Sequence, residues 1–175
     1  MAGRPDRDEW HLRGAQWLSE QGDCTRRKVG ALIVGPDKRF LGMGYNGGRP
    51  GGPSCLEGDC PRGRHYERPP KHPWRRNCQC VDCDPDRCAC GNAWPCQQAA
   101  QPGEGYDGVG LASWKCIATH AEANAVADAM QRGAGRLAGA VMYISCEPCD
   151  GCVRHIRNTT DIKAIVWPNG KIGLP

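Results

Sequence analysis

The sequence predicts an α/β domain in which a central sheet is covered by helices. The main observation is order, because short apolar runs typical of strands alternate with stretches of helical character. A chain of 175 residues also suits one domain of ordinary size. Strands that alternate with short helices favour parallel crossover connections. We therefore expect helix, two strands, an insertion, helix, strand, helix and strand, all within a single domain spanning residues 1–175.

The N-terminal part is expected to form a helix and a hairpin. Residues Asp8–Gln21 carry an approximate helical stripe of apolar side chains, namely Trp10, Leu12, Ala15, Trp17 and Leu18. The run Val29–Val34 is typical of a buried strand. After a turn at Pro36–Asp37, the chain returns as a second strand over Phe40–Tyr45, which predicts a hairpin.

The C-terminal part is expected to alternate helices and strands. An alanine-rich helix is predicted over Ala121–Arg132, ending before a glycine. A strand follows over Ala140–Ser145. A second helix over Cys149–Asn158 begins after a proline, which favours a helix start. The final predicted strand is Ile162–Trp167.

Large apolar side chains are scarce, whereas cysteines are abundant. Aromatic residues make up 6% of the chain with a single Phe, while there are 24 Gly, 14 Pro and 13 Cys. A core built from so few large side chains is thin for this length, so another source of stability is expected. An odd number of cysteines also excludes complete pairing into intramolecular disulfides.

Targeting and membrane segments are not recognisable in the sequence. Residues 1–13 are charged and lack the apolar segment of a secretory signal. No apolar run approaches the roughly 18 residues of a membrane span. We therefore expect a cytoplasmic protein without a membrane partner, whose cysteines serve as metal ligands before disulfides. The net charge of +4 permits an anionic partner without requiring one.

A cysteine-rich, metal-stapled insertion is predicted at about residues 55–116. Nine of the 13 cysteines lie between Cys55 and Cys116, in a stretch dense in Pro, Arg and Asp. A structureless segment of about 60 residues is abnormal inside a compact domain unless metals order it. The stretch is also poor in periodic apolar residues, so we expect bound metal to replace a hydrophobic core there.

The strongest chemical signal is H-A-E at 120–122 followed by P-C-D-G-C at 148–152. This H-x-E…P-C-x-x-C pattern is typical of zinc deaminases that act on nucleobases. A catalytic zinc takes three protein ligands and keeps one position open, and His120, Cys149 and Cys152 supply the three. Both motif halves are expected at helix starts, where the positive ends of the helix dipoles favour thiolates.

Glu122 is predicted to be the catalytic residue rather than a fourth ligand. It follows His120 by two residues, which turns the helical wheel by about 200°. At a helix start this is acceptable, because the metal lies off the helix end. Zinc lowers the pKa of its water to about 7. Glu122 can take that proton, pass it to the ring nitrogen and later to the leaving amine.

Simpler interpretations exist for each half of the motif. A single C-x-x-C is most often half of a structural zinc site, and a single H-x-E carries little information. The combination, with a proline before the first cysteine, favours a catalytic site. The alternative of another class is a non-catalytic zinc module that binds nucleic acid through the basic residues of 62–76. That alternative leaves Glu122 without a role.

Further motifs resemble a known enzyme family. These are C-T-R-R-K-V-G-A at 24–31, G-Y-N-G at 44–47, H-A-E-A-N-A at 120–125 and the strand with Tyr143. With the metal motif, they resemble the deoxycytidylate (dCMP) deaminase branch of the zinc-dependent cytidine deaminase superfamily. The resemblance implies a three-layer α/β/α fold, hydrolysis of dCMP to dUMP with release of ammonia, and a homo-oligomer.

The substrate-binding residues are less strongly specified. The resemblance suggests that Asn46 contacts the sugar or base edge, whereas its alternative role is that of a type I′ turn residue. Arg26 is the candidate for a 5′-phosphate, with a solvated basic run as the alternative. Asn124 either supports the site indirectly or bonds a nearby backbone group. Cytidine, deoxycytidine, cytosine, guanine and modified pyrimidine nucleotides stay open as substrates, and a nucleic-acid partner is not expected.

One or two structural zinc ions are predicted in addition to the catalytic one. Some relatives in the family carry a second zinc, and Cys55, Cys60 and Cys116 match that arrangement, with His65, His72 or another cysteine as the fourth ligand. A further cluster offers the foursome Cys80, Cys83, Cys88 and Cys90. Disulfides or an iron–sulfur cluster are the alternatives there. Cys24 and Cys146 are expected to be small core residues.

Overall fold

The computed structural model describes residues 3–24, 27–57, 59–60 and 116–175. These residues form two compact units. The first contains the described residues up to 22 together with 28–46 and 119–175, and the second contains the described residues of 23–27 and 47–118. Most of the predicted insertion at 55–116 lies outside the described residues. A single domain with an inserted metal-binding segment therefore stays a prediction.

The first unit consists of helices and strands in the predicted order, with one additional strand. The elements are α1 (Arg7–Ser19), β1 (Gly30–Val34), β2 (Phe40–Tyr45), α2 (Ala121–Gln131), β3 (Val141–Ile144), α3 (Asp150–Thr159), β4 (Ala164–Trp167) and β5 (Gly170–Gly173). Helix α1 begins at Asp6, whose carboxylate accepts from the N–H groups of Asp8 at 2.9 Å and Glu9 at 3.1 Å. This cap satisfies donors that have no partner inside the helix.

The five strands form one mixed sheet in the order β2-β1-β3-β4-β5. Strands β1 and β2 pair as the predicted antiparallel hairpin, and β3 and β4 pair in parallel through α3. The expectation of parallel neighbours fails for β1 and β3, which are antiparallel. The reason is that β1 lies between β2 and β3, the two strands connected through α2. These two strands are parallel to each other but do not touch.

Two apolar layers lie on opposite faces of the sheet, so the predicted three-layer α/β/α fold is confirmed. One face packs against Ala15 of α1 and presents Leu32, Val34, Tyr143 and Val166. The other face packs against α2 and α3 and presents Ala31, Ile33, Met142, Ile144 and Ile165. Among the helices that the structure describes, none is long and apolar enough to cross a bilayer.

Strand β5 is the element that sequence patterns do not predict. It is four residues long, contains two glycines and pairs antiparallel with β4, with Ile165 opposite Ile172. A Cβ at Gly170 would lie 2.4 Å from the Trp167 ring, so the indole covers the turn between the two strands. So short and glycine-rich a strand is formed by its partner rather than by its own propensity.

Candidate active site and metal centre

Helices α2 and α3 both begin at a predicted metal ligand. His120 is the N-cap residue of α2 and Cys149 that of α3, each with an extended backbone and neither making a capping bond with its side chain. Cys152 lies in the first turn of α3, three residues after Cys149, and therefore on the same face. The side chains of both N-cap residues are thus available to a metal at the ends of two helices.

The three ligand atoms are spaced as zinc requires. His120 Nδ1 lies 3.2 Å from Cys152 Sγ and 3.7 Å from Cys149 Sγ. All three atoms lie within 4.8 Å of one another. A tetrahedral zinc with Zn–N of about 2.0–2.1 Å and Zn–S of about 2.3 Å holds N and S about 3.6 Å apart. The donor set therefore fits zinc and leaves one coordination position for a small ligand.

The pKa values of the two cysteines of the site shift in opposite directions. The Cys152 thiol donates a hydrogen bond to Cys149, and Cys149 makes a further bond with His120. These bonds outweigh the opposing effect of burial and lower the pKa of Cys149 to about 4. Donating that proton, together with burial, raises the pKa of Cys152. The lowered pKa favours the thiolate form of Cys149, which is the form that binds a metal.

Glu122 lies among the ligands and is almost completely buried, with 3% of its surface exposed. Burial raises the pKa of this carboxyl group, while a hydrogen bond from its own backbone N–H and the proximity of His120 act in the opposite direction. The nearby Cys152 thiol also opposes the effect of burial on this pKa. The carboxylate therefore turns back toward the start of α2, where it can carry a proton without occupying a ligand position.

The predicted substrate residues have different outcomes. Asn46 is buried, and its Oδ1 accepts from the N–H of Val29 at 2.8 Å, while its own N–H donates to the Val29 carbonyl at 3.0 Å. Asn46 is thus fixed to Val29 by two hydrogen bonds at the end of β2. Arg26 lies outside the described residues. Asn124 donates from Nδ2 to the carbonyl of Tyr45 at 2.8 Å, which is the predicted bond to a nearby backbone group.

A second group of cysteines lies in the second unit. Cys55 and Cys60 are buried against each other, and Cys116 packs against them. A hydrogen bond between the two thiols is the main cause that raises the pKa of Cys55, followed by burial, and Cys24 and Cys116 act in the same direction. Cys80, Cys83, Cys88 and Cys90 lie outside the described residues, as do the candidate fourth ligands His65 and His72.

Cys24 lies in this group instead of serving as a simple core residue. The carboxylate of the preceding Asp23 accepts from Ser54 Oγ at 2.8 Å and from the N–H groups of Cys55 and Leu56 at 3.1 Å. These bonds bring the residue after Asp23 to the cysteine group. The sequence signal for Cys24 was only an unassigned thiol beside an acidic residue, far from Cys55 along the chain.

Together, the three-layer fold and a three-ligand zinc site with a buried glutamate define a zinc-dependent deaminase. Comparison with known proteins agrees, because the family described as cytidine and deoxycytidylate deaminase zinc-binding region matches residues 5–168. The chain belongs to this family.

Several known proteins are similar over most of their length. The deoxycytidylate deaminase of Mycobacterium phage D29 is 31% identical over 165 residues, covering 94% of this chain and 96% of that protein. The deoxycytidylate deaminase of Enterobacteria phage T4 is 27% identical and covers 89% and 74%. Among solved structures, the dCMP deaminase of cyanophage S-TIM5 in complex with dCMP and dUMP has a TM-score of 0.51 at 21% identity, covering 95% and 83%. This last likeness supports the fold.

Proposed function

We propose that the chain hydrolyses dCMP to dUMP and ammonia. The observation that carries this proposal is the buried carboxylate of Glu122 beside three zinc ligands at two helix N-termini. The nature of the substrate is supported by the phage D29 deoxycytidylate deaminase, to which the chain is similar over nearly the full length of both.

The residues of the site have complementary roles in this reaction. Zinc, when bound by His120, Cys149 and Cys152, supplies Lewis-acid activation of water at neutral pH. Glu122 takes one proton from the attacking water and delivers it to N3 of the cytosine ring while the water oxygen bonds to C4. It then carries the remaining proton of that oxygen to the amino group, so that the C4–N bond breaks, ammonia leaves and C4 keeps the oxygen as a carbonyl.

The substrate contacts are assigned to Asn46 and Arg26. Asn46 is buried and fixed to Val29 by two hydrogen bonds at the end of β2, which suits a residue that contacts the sugar or the base edge. Arg26 is assigned to the 5′-phosphate on the family resemblance, since guanidinium groups bind phosphate through paired hydrogen bonds.

A structural zinc is proposed for the second unit. Cys55, Cys60 and Cys116 pack together, and Cys24 is the fourth candidate, which would complete a Cys₄ set. A second structural zinc at Cys80, Cys83, Cys88 and Cys90 is proposed on the cysteine spacing. The zinc content of purified protein, measured by inductively coupled plasma mass spectrometry, should therefore exceed one ion per chain. A content of one ion per chain would contradict both structural sites.

The chain is also proposed to form a homo-oligomer in the cytoplasm. Large apolar side chains are exposed on the first unit, including Trp10, Trp17 and Phe40, and these favour burial against another copy. Cysteines stay reduced, and so remain able to bind zinc, most readily in a reducing compartment. Light scattering after size exclusion should give a mass above that of one 19.0 kDa chain. A monomer at micromolar concentration would contradict this part of the proposal.

Ammonia release from a panel of substrates tests the proposed function. The panel contains dCMP, CMP, dCTP, deoxycytidine and free cytosine, with zinc-loaded protein. The expected result is the highest kcat/KM for dCMP. Turnover of nucleosides with inert dCMP would contradict the assignment of a phosphate contact. Salt-dependent binding of single-stranded DNA without any deamination would favour the nucleic-acid module instead.

A further inference from the structure

The outer edge of β2 carries backbone groups that no neighbouring strand of the described sheet pairs. Strand β2 is outermost in the order β2-β1-β3-β4-β5. Asn46, which continues β2, donates from its N–H to the Val29 carbonyl beside β1. Alternate residues of an antiparallel strand direct their N–H and C=O groups to the same side. The groups of Gly44 therefore face β1, and those of Met43 and Tyr45 face away from it.

Two side chains of α2 bond to this outer edge. Asn124 Nδ2 donates to the Tyr45 carbonyl at 2.8 Å, and Asp128 Oδ2 accepts from the Met43 N–H at 2.9 Å. The two side chains are four residues apart and therefore lie on one face of the helix. They cover a donor and an acceptor that an edge strand would otherwise offer to another chain.

The backbone of α2 lies directly on β2 beside these bonds. A Cβ at Gly44 would lie 2.4 Å from the backbone nitrogen of Ala125, and one at Gly42 would lie 2.4 Å from the carbonyl oxygen of Ala125. No side chain fits at either glycine. Contact this close fixes the distance between helix and strand, and the two hydrogen bonds fix the position of the helix along the strand.

The Asn124 bond joins two parts of the site. The N–H of Asn124 donates to the His120 carbonyl at 3.1 Å, which closes the first turn of α2 around Glu122. The partner on β2 is Tyr45, the residue directly before Asn46. A single side-chain bond thus links the turn that carries the proton carrier to the strand end that carries the proposed substrate contact.

We propose that Asn124 is a positioning residue that sets the separation between Glu122 and Asn46, whereas Asp128 only anchors the helix. The proposal rests on the proposed function, because that function assigns Asn46 to the substrate. Loss of the Asn124 bond changes the distance between the Glu122 carboxyl group and the Asn46 side chain, while both groups stay in the site. A misplacement on the order of 1 Å can cost about 100-fold in rate.

The test compares Asn124→Ala and Asn124→Asp with Asp128→Ala in the zinc-loaded full chain. Aspartate has the shape of asparagine, but its carboxylate cannot donate to the Tyr45 carbonyl. Both Asn124 variants should lower kcat/KM for dCMP by roughly 10–100-fold. Zinc per chain should be unchanged, and the loss of Tm should match that of Asp128→Ala. Asp128→Ala should keep a kcat/KM close to that of the wild type.

Two results would overturn the positioning role. One is wild-type kcat/KM in Asn124→Asp, and the other is an equal loss of activity in Asp128→Ala at an equal loss of Tm. Absence of dCMP turnover in the wild type contradicts the proposed function instead. In that case the variants are compared by the rate of zinc transfer to a chelator, because His120 lies in the same turn. Faster transfer only in the Asn124 variants would support the part of the proposal in which Asn124 positions the first turn of α2, and equal rates would refute that part as well.

Discussion

The two groups of cysteines differ in what holds them in place. His120 and Cys149 are the N-cap residues of α2 and α3. These helices pack on the sheet through an apolar core whose described residues include none of the metal ligands. Cys55, Cys60 and Cys116 lie in a unit whose described residues contain no helix or strand element, and they are themselves most of its apolar cluster. In the function proposed above, a metal bound by the first group serves chemistry, whereas a metal bound by the second group replaces a hydrophobic core. Removing metal should therefore have opposite consequences in the two units.

The largest expected effect is the loss of turnover in Cys149→Ala. This change removes the ligand whose pKa is lowered by Cys152 and His120. Turnover should fall to the level of metal-free protein, and zinc per chain should fall by one ion. The free energy of unfolding should change little, because the frame does not depend on the metal.

Metal analysis, ammonia release and thermal unfolding measure these three quantities. Cys146→Ala is the matched control, since Cys146 is a half-buried cysteine three residues away and is not assigned to the metal. It should keep both zinc and activity. Unfolding of Cys149→Ala at room temperature would show that the catalytic metal also holds the first unit together, which would remove the contrast.

Cys60→Ala should affect stability more than turnover, the reverse of Cys149→Ala. It should lose one structural zinc and destabilise the protein by at least ~3 kcal/mol, because loss of a structural metal is among the few single changes with large effects. The zinc at His120 should be retained. Denaturant unfolding together with zinc analysis checks this. Unchanged zinc content with a small stability loss would mean that the cysteine group is ordinary packing.

Gly44→Ala tests whether the stability of the first unit depends on the close packing of α2 against β2 rather than on metal. The added Cβ meets the backbone of Ala125 at 2.4 Å, so α2 must move away from β2. We expect a loss of about 1–3 kcal/mol or more, as for other overpacked positions. Gly173→Ala is the control, because a Cβ there meets nothing within 4 Å. Equal stability of the two variants in denaturant unfolding would contradict the close contact.

The smallest expected effect concerns pH and His11. This histidine is 3% exposed, and its ring centroid lies 4.6 Å from that of Tyr143. Its Nδ1 has no hydrogen-bond partner among the residues that the structure describes. Burial lowers the pKa of His11, while Asp8 raises it and the cations Arg7 and Lys38 lower it. The unfolded chain therefore binds the proton more readily, so this contribution to stability is present above about pH 6.5 and is lost as the pH falls below it.

The pH dependence of unfolding measures this contribution. In wild type, stability should fall between pH 7 and pH 5 with a slope from His11 of less than about 1.4 kcal/mol per pH unit. His11→Phe keeps an aromatic ring and should reduce that slope. An identical slope in the variant would show that other groups cause the acid sensitivity.

Local patterns predicted most of the frame and both halves of the catalytic site. The proline at 148 and the spacing of Cys149 and Cys152 specify a helix start with two thiols on one face, and the structure has that arrangement. What local patterns cannot specify is partners that are distant in sequence. The antiparallel pairing of β1 with β3 and the place of Cys24 both depend on such partners. The Asn124 bond to Tyr45 is of the same kind, since 79 residues separate its ends. Strand β5 is a different case, because it pairs with its sequence neighbour β4 and escapes prediction through its short length and two glycines.

Glu122→Gln is the most direct test of the proposal that Glu122 carries protons and does not bind the metal. The amide keeps the size of the side chain but cannot carry the proton. Zinc per chain should equal that of wild type, while kcat for dCMP should fall roughly 10²–10⁴-fold. Glu20→Gln, at an exposed glutamate, should change neither quantity. Retained turnover in Glu122→Gln would contradict the account, as would a loss of zinc in step with the loss of activity.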